Sequence, residues 1–133
     1  MKTTAVFKAL SLIILSAIST QAFADGSAKV IATCADSDMK YEILQAGNQI
    51  SSSNISVRVT KADDGQTKTI SDHIMVESID NGSTLAVQAG FIILWVRQNG
   101  NSQVGVMLGS APQTISCQIA EKPFVFDSSV HSE

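Results

Sequence analysis

Apolar and polar residues alternate with a period of two along most of the chain after residue 24. The alternation places apolar side chains on one face of three successive segments: Val30, Ala32 and Cys34; Met39, Tyr41 and Ile43; Ile55, Val57 and Val59. β-Branched residues are frequent in these segments, turn residues separate them, and no segment has a convincing helical period. The pattern predicts an all-β domain of short antiparallel strands.

The dipeptide Asn81-Gly82 predicts a tight hairpin, because Asn-Gly favours the type I′ turn, whose twist matches that of paired strands. A two-residue turn at this position places Val76 opposite Val87 and Ser78 opposite Leu85. Large apolar residues of the two strands then meet on one face, as cross-strand pairs do in stable sheets. The turn chemistry and the hydrophobic pattern therefore predict the same register.

A second dipeptide, Asn99-Gly100, predicts the core face of the following hairpin in the same way. A two-residue turn there opposes three apolar pairs on one face: Phe91–Leu108, Ile93–Val106 and Trp95–Val104. The odd-numbered alternation of Phe91, Ile93 and Trp95 continues that of the preceding segment. Residues 83–98 are therefore predicted to form one long strand that bends at Gly90.

The run Phe91–Val96 is apolar on both of its predicted faces. If the odd-numbered residues face the core, the opposite face consists of Ile92, Leu94, Val96 and Met107. One interpretation is that Pro123–Phe126 or a second sheet covers this face. The other is that the four residues form an exposed apolar patch that binds a partner.

The connections between the predicted strands are polar. A two-residue turn at Asp64-Gly65 would place Lys61 opposite Lys68, which is unfavourable, so a longer loop or a bulge is predicted there. Residues 46–54 are predicted to form a loop from which Ile50 points inward. The chain is predicted to end in a short apolar segment, Pro123–Phe126, followed by a short flexible tail.

The first 24 residues have the features of a cleaved secretory signal. Lys2 and Lys8 are positively charged, an apolar stretch runs over Ala9–Ile18, and Ala22-Phe23-Ala24 is an A-x-A cleavage site. The apolar stretch is shorter than the roughly 20 residues that a membrane-spanning helix needs. The sequence therefore predicts a signal peptide over residues 1–24. Residues 25–133 then form a single domain in the periplasm or outside the cell.

Cys34 and Cys117 are the two cysteines of the chain. In an oxidising compartment they are predicted to form one disulfide. Each lies on the apolar register of its segment, near the beginning and the end of the domain, so the bond would join the first and last strands. A meander whose ends meet predicts a small antiparallel barrel of seven or eight strands, with a two-sheet sandwich as the alternative.

Composition and motifs exclude several classes of function. The net charge is −3 and no cluster of Lys and Arg is present, which disfavours nucleic acid as a partner. No later apolar segment is long enough to span a membrane. No motif for a metal, a nucleotide or another cofactor occurs, and the acidic pairs Asp36-Ser37-Asp38 and Asp63-Asp64 are predicted to be turn residues.

His73 is the histidine of the predicted β-domain that most resembles a catalytic group, since Ser71 and Asp72 lie beside it. Neighbouring residues of a strand point to opposite faces, so these three cannot form a nucleophile–base–acid triad with one another. We therefore expect His73 to be an exposed surface residue and assign no catalytic residue.

These observations lead to one main functional hypothesis and two alternatives. The main hypothesis is a small exported non-enzymatic protein that binds an unidentified protein or small ligand, and a narrower form of it is an inhibitor of a lysozyme or protease. The first alternative is a hydrolase that uses His73 and loop carboxylates. The second is a structural subunit that pairs with its neighbours through edge strands. An enzyme should show a pocket that gathers His73 with acidic or hydroxyl groups, whereas a binding protein should show a filled barrel and a bare apolar or loop surface.

Overall fold

Ten strands form one sheet in the computed structural model, which describes residues 28–106, 109 and 111–132. The strands are β1 (Ala28–Ala35), β2 (Met39–Ala46), β3 (Ile55–Lys61), β4 (Thr67–Ile70), β5 (Ile74–Ile79), β6 (Thr84–Ala89), β7 (Ile92–Arg97), β8 (Asn101–Val106), β9 (Gln113–Ile119) and β10 (His131–Ser132). No helix occurs in the part of the chain that is described, and the predicted all-β class is confirmed. The predicted signal peptide, residues 1–24, lies outside the described residues.

The sheet consists of two antiparallel meanders that meet in its middle. The strand order is β10-β5-β6-β7-β8-β9-β1-β2-β3-β4, so β9 pairs with β1 and joins the meander β5–β9 to the meander β1–β4. The sheet curls into a half-barrel of ten strands rather than the predicted seven or eight. Ile70 and Ile74 are four Cα steps apart and at most about 14 Å from each other. The curl therefore brings β4 close to β5, although they lie near opposite ends of the sheet.

A disulfide between Cys34 and Cys117 fastens the junction of the two meanders. The two residues are directly opposite each other on β1 and β9, with their Cα atoms 4.0 Å apart. The predicted disulfide is confirmed, and it joins the first strand, β1, to its neighbour β9 rather than to the last strand of the chain. The chain does continue beyond β9, into the short strand β10.

The inner face of the curled sheet carries the hydrophobic core. The alternation predicted these inward positions correctly on β1, β2 and β3, where Cys34, Ile43 and Val57 are fully buried. Ile50 also points inward from its loop, as predicted. A shift of register between Val30 and Ala32 buries Ile31 as well as Ala32, which a strict alternation does not predict.

The hairpin at Asn81-Gly82 has the predicted register. Val76 lies opposite Val87 and Ser78 lies opposite Leu85. The amide of Ser83 donates to the carbonyl oxygen of Asp80 at 3.1 Å, which closes the two-residue turn. Asn81 has a φ of 56°, in the left-handed region that the type I′ turn requires.

The predicted long strand over residues 83–98 is wrong, because the chain reverses at Gly90 and Phe91. β6 ends at Ala89, β7 begins at Ile92, and these two residues lie opposite each other. Gly90 has a φ of 61°, which suits the first central position of a type II′ turn. The reversal moves the inward register from odd-numbered residues on β6 to even-numbered residues on β7.

The predicted register at Asn99-Gly100 is also wrong, by one residue. Leu94, not Trp95, lies opposite Val104. The loop has three residues, 98–100, and the amide of Gly100 donates to the carbonyl oxygen of Arg97 at 2.9 Å. Gly100 has a φ of 92°, as expected for the left-handed residue that ends a three-residue hairpin loop.

The two turns together reverse the predicted faces of β7. Leu94 and Val96 are fully buried, whereas Trp95 is partly exposed and Phe91 is 71% exposed. The predicted partner patch of Ile92, Leu94, Val96 and Met107 is therefore corrected. Leu94 and Val96 belong to the core, Ile92 is partly buried against it, and Met107 lies outside the described residues.

Replacing Gly100 with alanine should destabilise the protein more than replacing Gly65. Both glycines have positive φ values, 92° and 71°, so each alanine incurs about 1 kcal/mol of backbone strain. A Cβ at Gly100 would lie 2.9 Å from the carbonyl oxygen of Cys117, whereas a Cβ at Gly65 meets nothing within 4 Å. Overpacking should raise the cost of Gly100→Ala to about 2 kcal/mol or more. Urea unfolding of both variants tests this, and equal costs would contradict the close approach.

The remaining connections agree only partly with the predictions made from the sequence. The loop over residues 62–65 is longer than a two-residue turn, as predicted, and Val57 lies opposite Ile70. Phe124 is buried against the core and Phe126 forms a bridge with Ile50. The end of the chain differs from the predicted flexible tail, because β10 pairs in parallel with β5.

Candidate functional site

An open cleft lies at the corner where β4 leads into β5. It has a volume of about 910 Å³ and is bounded by the ends of β3 and β4 on one side and by the β6–β7 turn on the other. Its apolar lining consists of Met39, Val59, Ile70, Phe91 and Ile92. The charged or titratable groups of its lining are Lys61, Lys68, Asp72 and His73. The cleft therefore combines an apolar floor with a polar rim, to which Gln66, Thr67, Thr69 and Ser71 also contribute.

The strand register explains why these side chains converge. Val59 points to the inner face, and Lys68 lies directly opposite it on β4. Met39 and Lys61 form the corresponding pair between β2 and β3. Residues directly opposite each other share a face of the sheet, so both lysines lie on the inner face at its open end. Thr60 and Thr67 are on the other face, where their hydroxyl oxygens are 3.1 Å apart.

The lysines of the cleft have no ion-pair partner within residues 28–106, 109 and 111–132. The ion pairs in this part of the chain are Lys29–Glu121, at 3.0 Å, and Arg58–Glu42, at 2.8 Å. Lys61 also lines a smaller hollow that contains the carboxylates of Asp38 and Asp63. Although the whole protein is acidic, this corner of the inner face carries two lysines that are unpaired within the described part of the chain.

His73 lies on the rim of the cleft and is exposed, as predicted. Its φ of 56° places it in the left-handed region, which is sparsely populated for residues other than glycine. Ser71 and Asp72 precede it in the same exposed connection, and its imidazole forms no hydrogen bond with another described side chain. The structure thus puts His73 at the cleft but does not bring it together with a serine and a carboxylate in a triad.

A second hollow, of about 620 Å³, lies in the polar loop that contains residues 48–54. The side-chain oxygen of Asn54 accepts hydrogen bonds from the amide of Ser51, at 2.8 Å, and from its hydroxyl, at 3.1 Å. The amide nitrogen of the same side chain donates to the carbonyl oxygen of Gln49. Asn54 is therefore used to hold the loop, and this hollow is a weaker candidate than the cleft.

The outer face of β5–β8 carries apolar residues that are partly or fully exposed, and one of them, Trp95, was predicted to lie inside. Met75 is 59% exposed, and Trp95 lies over Gly105, where an added Cβ would be 3.3 Å from the indole ring. Within the described residues, nothing shows what covers this face. It replaces the predicted patch as the apolar surface of the hairpin.

The acidic pairs and the search for a metal site add no chemistry. The side chain of Asp36 accepts hydrogen bonds from the amides of Asp38, at 2.7 Å, and Met39, at 2.8 Å, so it stabilises the β1–β2 turn, as predicted. No group of three or more His, Cys, Asp or Glu side chains in the described ranges is arranged to hold a metal ion. Among the same residues, no helix is long and apolar enough to cross a membrane.

Sequence reasoning missed Lys61, Lys68 and Ile70 as candidate site residues. Their signal was present in the unfavourable Lys61–Lys68 pair, which already argued against a two-residue turn at Asp64-Gly65. The longer loop moves Lys68 opposite Val59 and leaves an apolar strand face edged by lysines. Comparisons of the chain with models of known protein families, with curated proteins and with solved structures find no match.

Proposed function

We propose that the protein is a small exported non-enzymatic binding protein of the periplasm or extracellular space, and that the cleft is its binding site. The observation that carries the proposal is an open apolar cleft whose rim holds two lysines that have no ion-pair partner among the described residues. Ligand sites are concave, mostly apolar, roughly 300–1,000 Å³ in volume and common in the mouths of β-barrels. In this proposal the curled sheet acts as a small barrel, and the cleft is its mouth.

Export is part of the proposal and draws on two observations. The N-terminal sequence has the features of a signal peptide cleaved after Ala24, and the Cys34–Cys117 disulfide is compatible with an oxidising compartment. A disulfide clamp suits a small exported domain, because disulfides form and persist in oxidising compartments. The narrower hypothesis of a lysozyme or protease inhibitor gains no specific support from the cleft.

The edge-strand hypothesis has one observation in its favour. The amide of Lys61 donates to the carbonyl oxygen of Gln66, so these two residues form a hydrogen-bonded pair. Hydrogen-bonded and non-hydrogen-bonded pairs alternate along an antiparallel ladder, so the backbone N–H and C=O groups of Thr67 and Thr69 point away from β3. These groups could pair with another chain. However, β4 has only four residues and contains Lys68, and short charged edge strands are a common protection against such pairing. We therefore favour the cleft.

A dye whose fluorescence rises in apolar surroundings should bind the mature protein at the cleft. We expect Ile70→Ser to remove most of the fluorescence increase, because Ile70 lines the cleft. The matched control is Met75→Ser, which changes an exposed apolar residue of the outer face and should leave dye binding unchanged. Equal binding by the two variants would contradict the proposal.

The same purified protein can be used to test the alternative hypothesis that it is a hydrolase. The variant His73→Ala should retain dye binding, and neither it nor the unaltered protein should hydrolyse a chromogenic ester or peptide. Hydrolysis by the unaltered protein that is lost in His73→Ala would contradict the non-enzymatic proposal and favour the hydrolase.

A further inference from the structure

We propose that the natural ligand of the cleft is an amphipathic anion, a single molecule with an apolar body and a negatively charged head group. This inference rests on the proposed function, since it names the class of ligand for the same site. The apolar body would contact the floor of the cleft, and Lys68, assisted by Lys61, would bind the head group.

The floor of the cleft fits an apolar body. Met39, Val59, Ile70 and Ile92 pack against the core from this side and remain only partly buried. The exposed parts of these side chains face the open cleft. An apolar ligand would therefore remove both its own apolar surface and theirs from water, and the gain in free energy is proportional to the area covered. Phe91, at the β6–β7 turn, provides an apolar side wall and is itself largely exposed.

The positive charges at the rim of the cleft favour a negatively charged head group on the ligand. Lys68 lies on the inner face opposite Val59, is exposed, and has no ion-pair partner in the described residues. A long lysine side chain can cover apolar surface with its stem while its ammonium group stays at the rim. A negatively charged head group above Val59 would therefore find a cation within reach while its apolar body lies on the floor.

Lys68 is the better anchor of the two lysines. Lys61 shares its neighbouring hollow with Asp38 and Asp63, which reduce the positive potential around it. Asp72 is the carboxylate of the cleft lining itself and lies in the β4–β5 connection. This distribution of charge orients the ligand, because the head group is attracted towards Lys68 and repelled by Asp72.

The geometry also favours a single small molecule over a membrane surface. The apolar residues line a concave cleft rather than a projecting face, and the chain has a net charge of −3. Proteins that bind anionic bilayers through an interfacial element present a projecting apolar face flanked by many cations.

Three amphiphiles of equal chain length test the inference by calorimetric titration below their micelle-forming concentrations: dodecanoate, dodecanol and dodecyltrimethylammonium. We expect dodecanoate to bind most tightly. Lys68→Gln should weaken dodecanoate binding about tenfold, the size of one charge-assisted contact, and should leave dodecanol binding unchanged. The control Lys40→Gln removes a cation from the exposed face of β2 and should alter neither affinity. Thermal melts verify that each variant is folded.

The outcomes separate this inference from the proposed function. Equal affinities for dodecanoate and dodecanol, or unchanged dodecanoate binding by Lys68→Gln, would overturn the anionic head group while leaving the cleft as an apolar site. Failure of all three amphiphiles to bind would overturn the amphipathic ligand, even if the dye still bound in an Ile70-dependent manner. If Ile70→Ser also left dye binding unchanged, the proposed function itself would fail.

Discussion

Replacing Leu94 with aspartate is expected to unfold the protein, whereas replacing the adjacent Trp95 with aspartate should leave it folded. Leu94 is fully buried opposite Val104 in the core, and Trp95 is partly exposed on the outer face. A carboxylate without a partner in an apolar core costs several kcal/mol, even after its pKa shifts to keep it neutral. The total stability of a domain of this size is about 5–15 kcal/mol, so the Leu94 variant should lose most of it.

The two substitutions introduce the same side chain at neighbouring positions, so their difference reports only which face is buried. Circular dichroism and urea unfolding should show a folded Trp95→Asp protein with a modest loss of stability, since the indole loses its contact with Gly105. The milder variant Leu94→Ala should cost about 2–5 kcal/mol and provides a measurable value if Leu94→Asp does not fold. A Trp95→Asp protein less stable than Leu94→Asp would mean that the outer and inner faces of β7 are exchanged.

The face of β7 is also the clearest example of what the sequence could not determine. In β3 the apolar residues Ile55, Val57 and Val59 alternate with polar ones, so the alternation alone fixes which side chains point inward. Every residue of Phe91–Val96 is apolar, so the pattern contains no information about the face. The face then depends on the turns at both ends, where one residue more or less in the loop exchanges the two faces.

The turn signals differ in how strongly they specify a loop length. Asn81-Gly82 produces the predicted two-residue turn, but Asn99-Gly100 belongs to a three-residue loop in which only Gly100 has a positive φ. The same dipeptide supports both geometries, because each of them needs a left-handed glycine. Within an alternating segment Gly90 is compatible with a bend in one strand, but a Gly-X pair is also the signal of the type II′ turn that forms here.

The candidate cleft was beyond sequence reasoning for a different reason. Its walls come from β2, β3, β4 and the β6–β7 turn, which are distant in the chain and converge only because the sheet curls. Lys68 lies opposite Val59 because the loop over residues 62–65 has four residues. The unfavourable pairing of Lys61 with Lys68 argues against a two-residue turn, but it does not define the length of the loop. The disulfide was predictable, because the two cysteines of the chain both lie on inward registers, which leaves few other arrangements.

Removing the disulfide should cause the other large loss of stability. The double variant Cys34→Ala/Cys117→Ala releases a constraint between residues separated by 83 positions. Loss of that constraint increases the entropy of the unfolded chain by an amount equivalent to about 4–5 kcal/mol in the loop-closure model. The expected loss is large for this fold because the bond lies on the β9–β1 pair, the junction at which the two meanders are joined.

Urea unfolding with and without a reductant measures this contribution. Reductant should destabilise the unaltered protein by an amount similar to the double substitution and should not affect the double variant. Each single alanine variant should lose nearly as much stability as the double variant, because either substitution breaks the same bond. Equal stabilities of the oxidised protein and the double variant would show that β9 and β1 are held together by their backbone pairing and buried side chains alone. The junction of the two meanders would then need no covalent clamp.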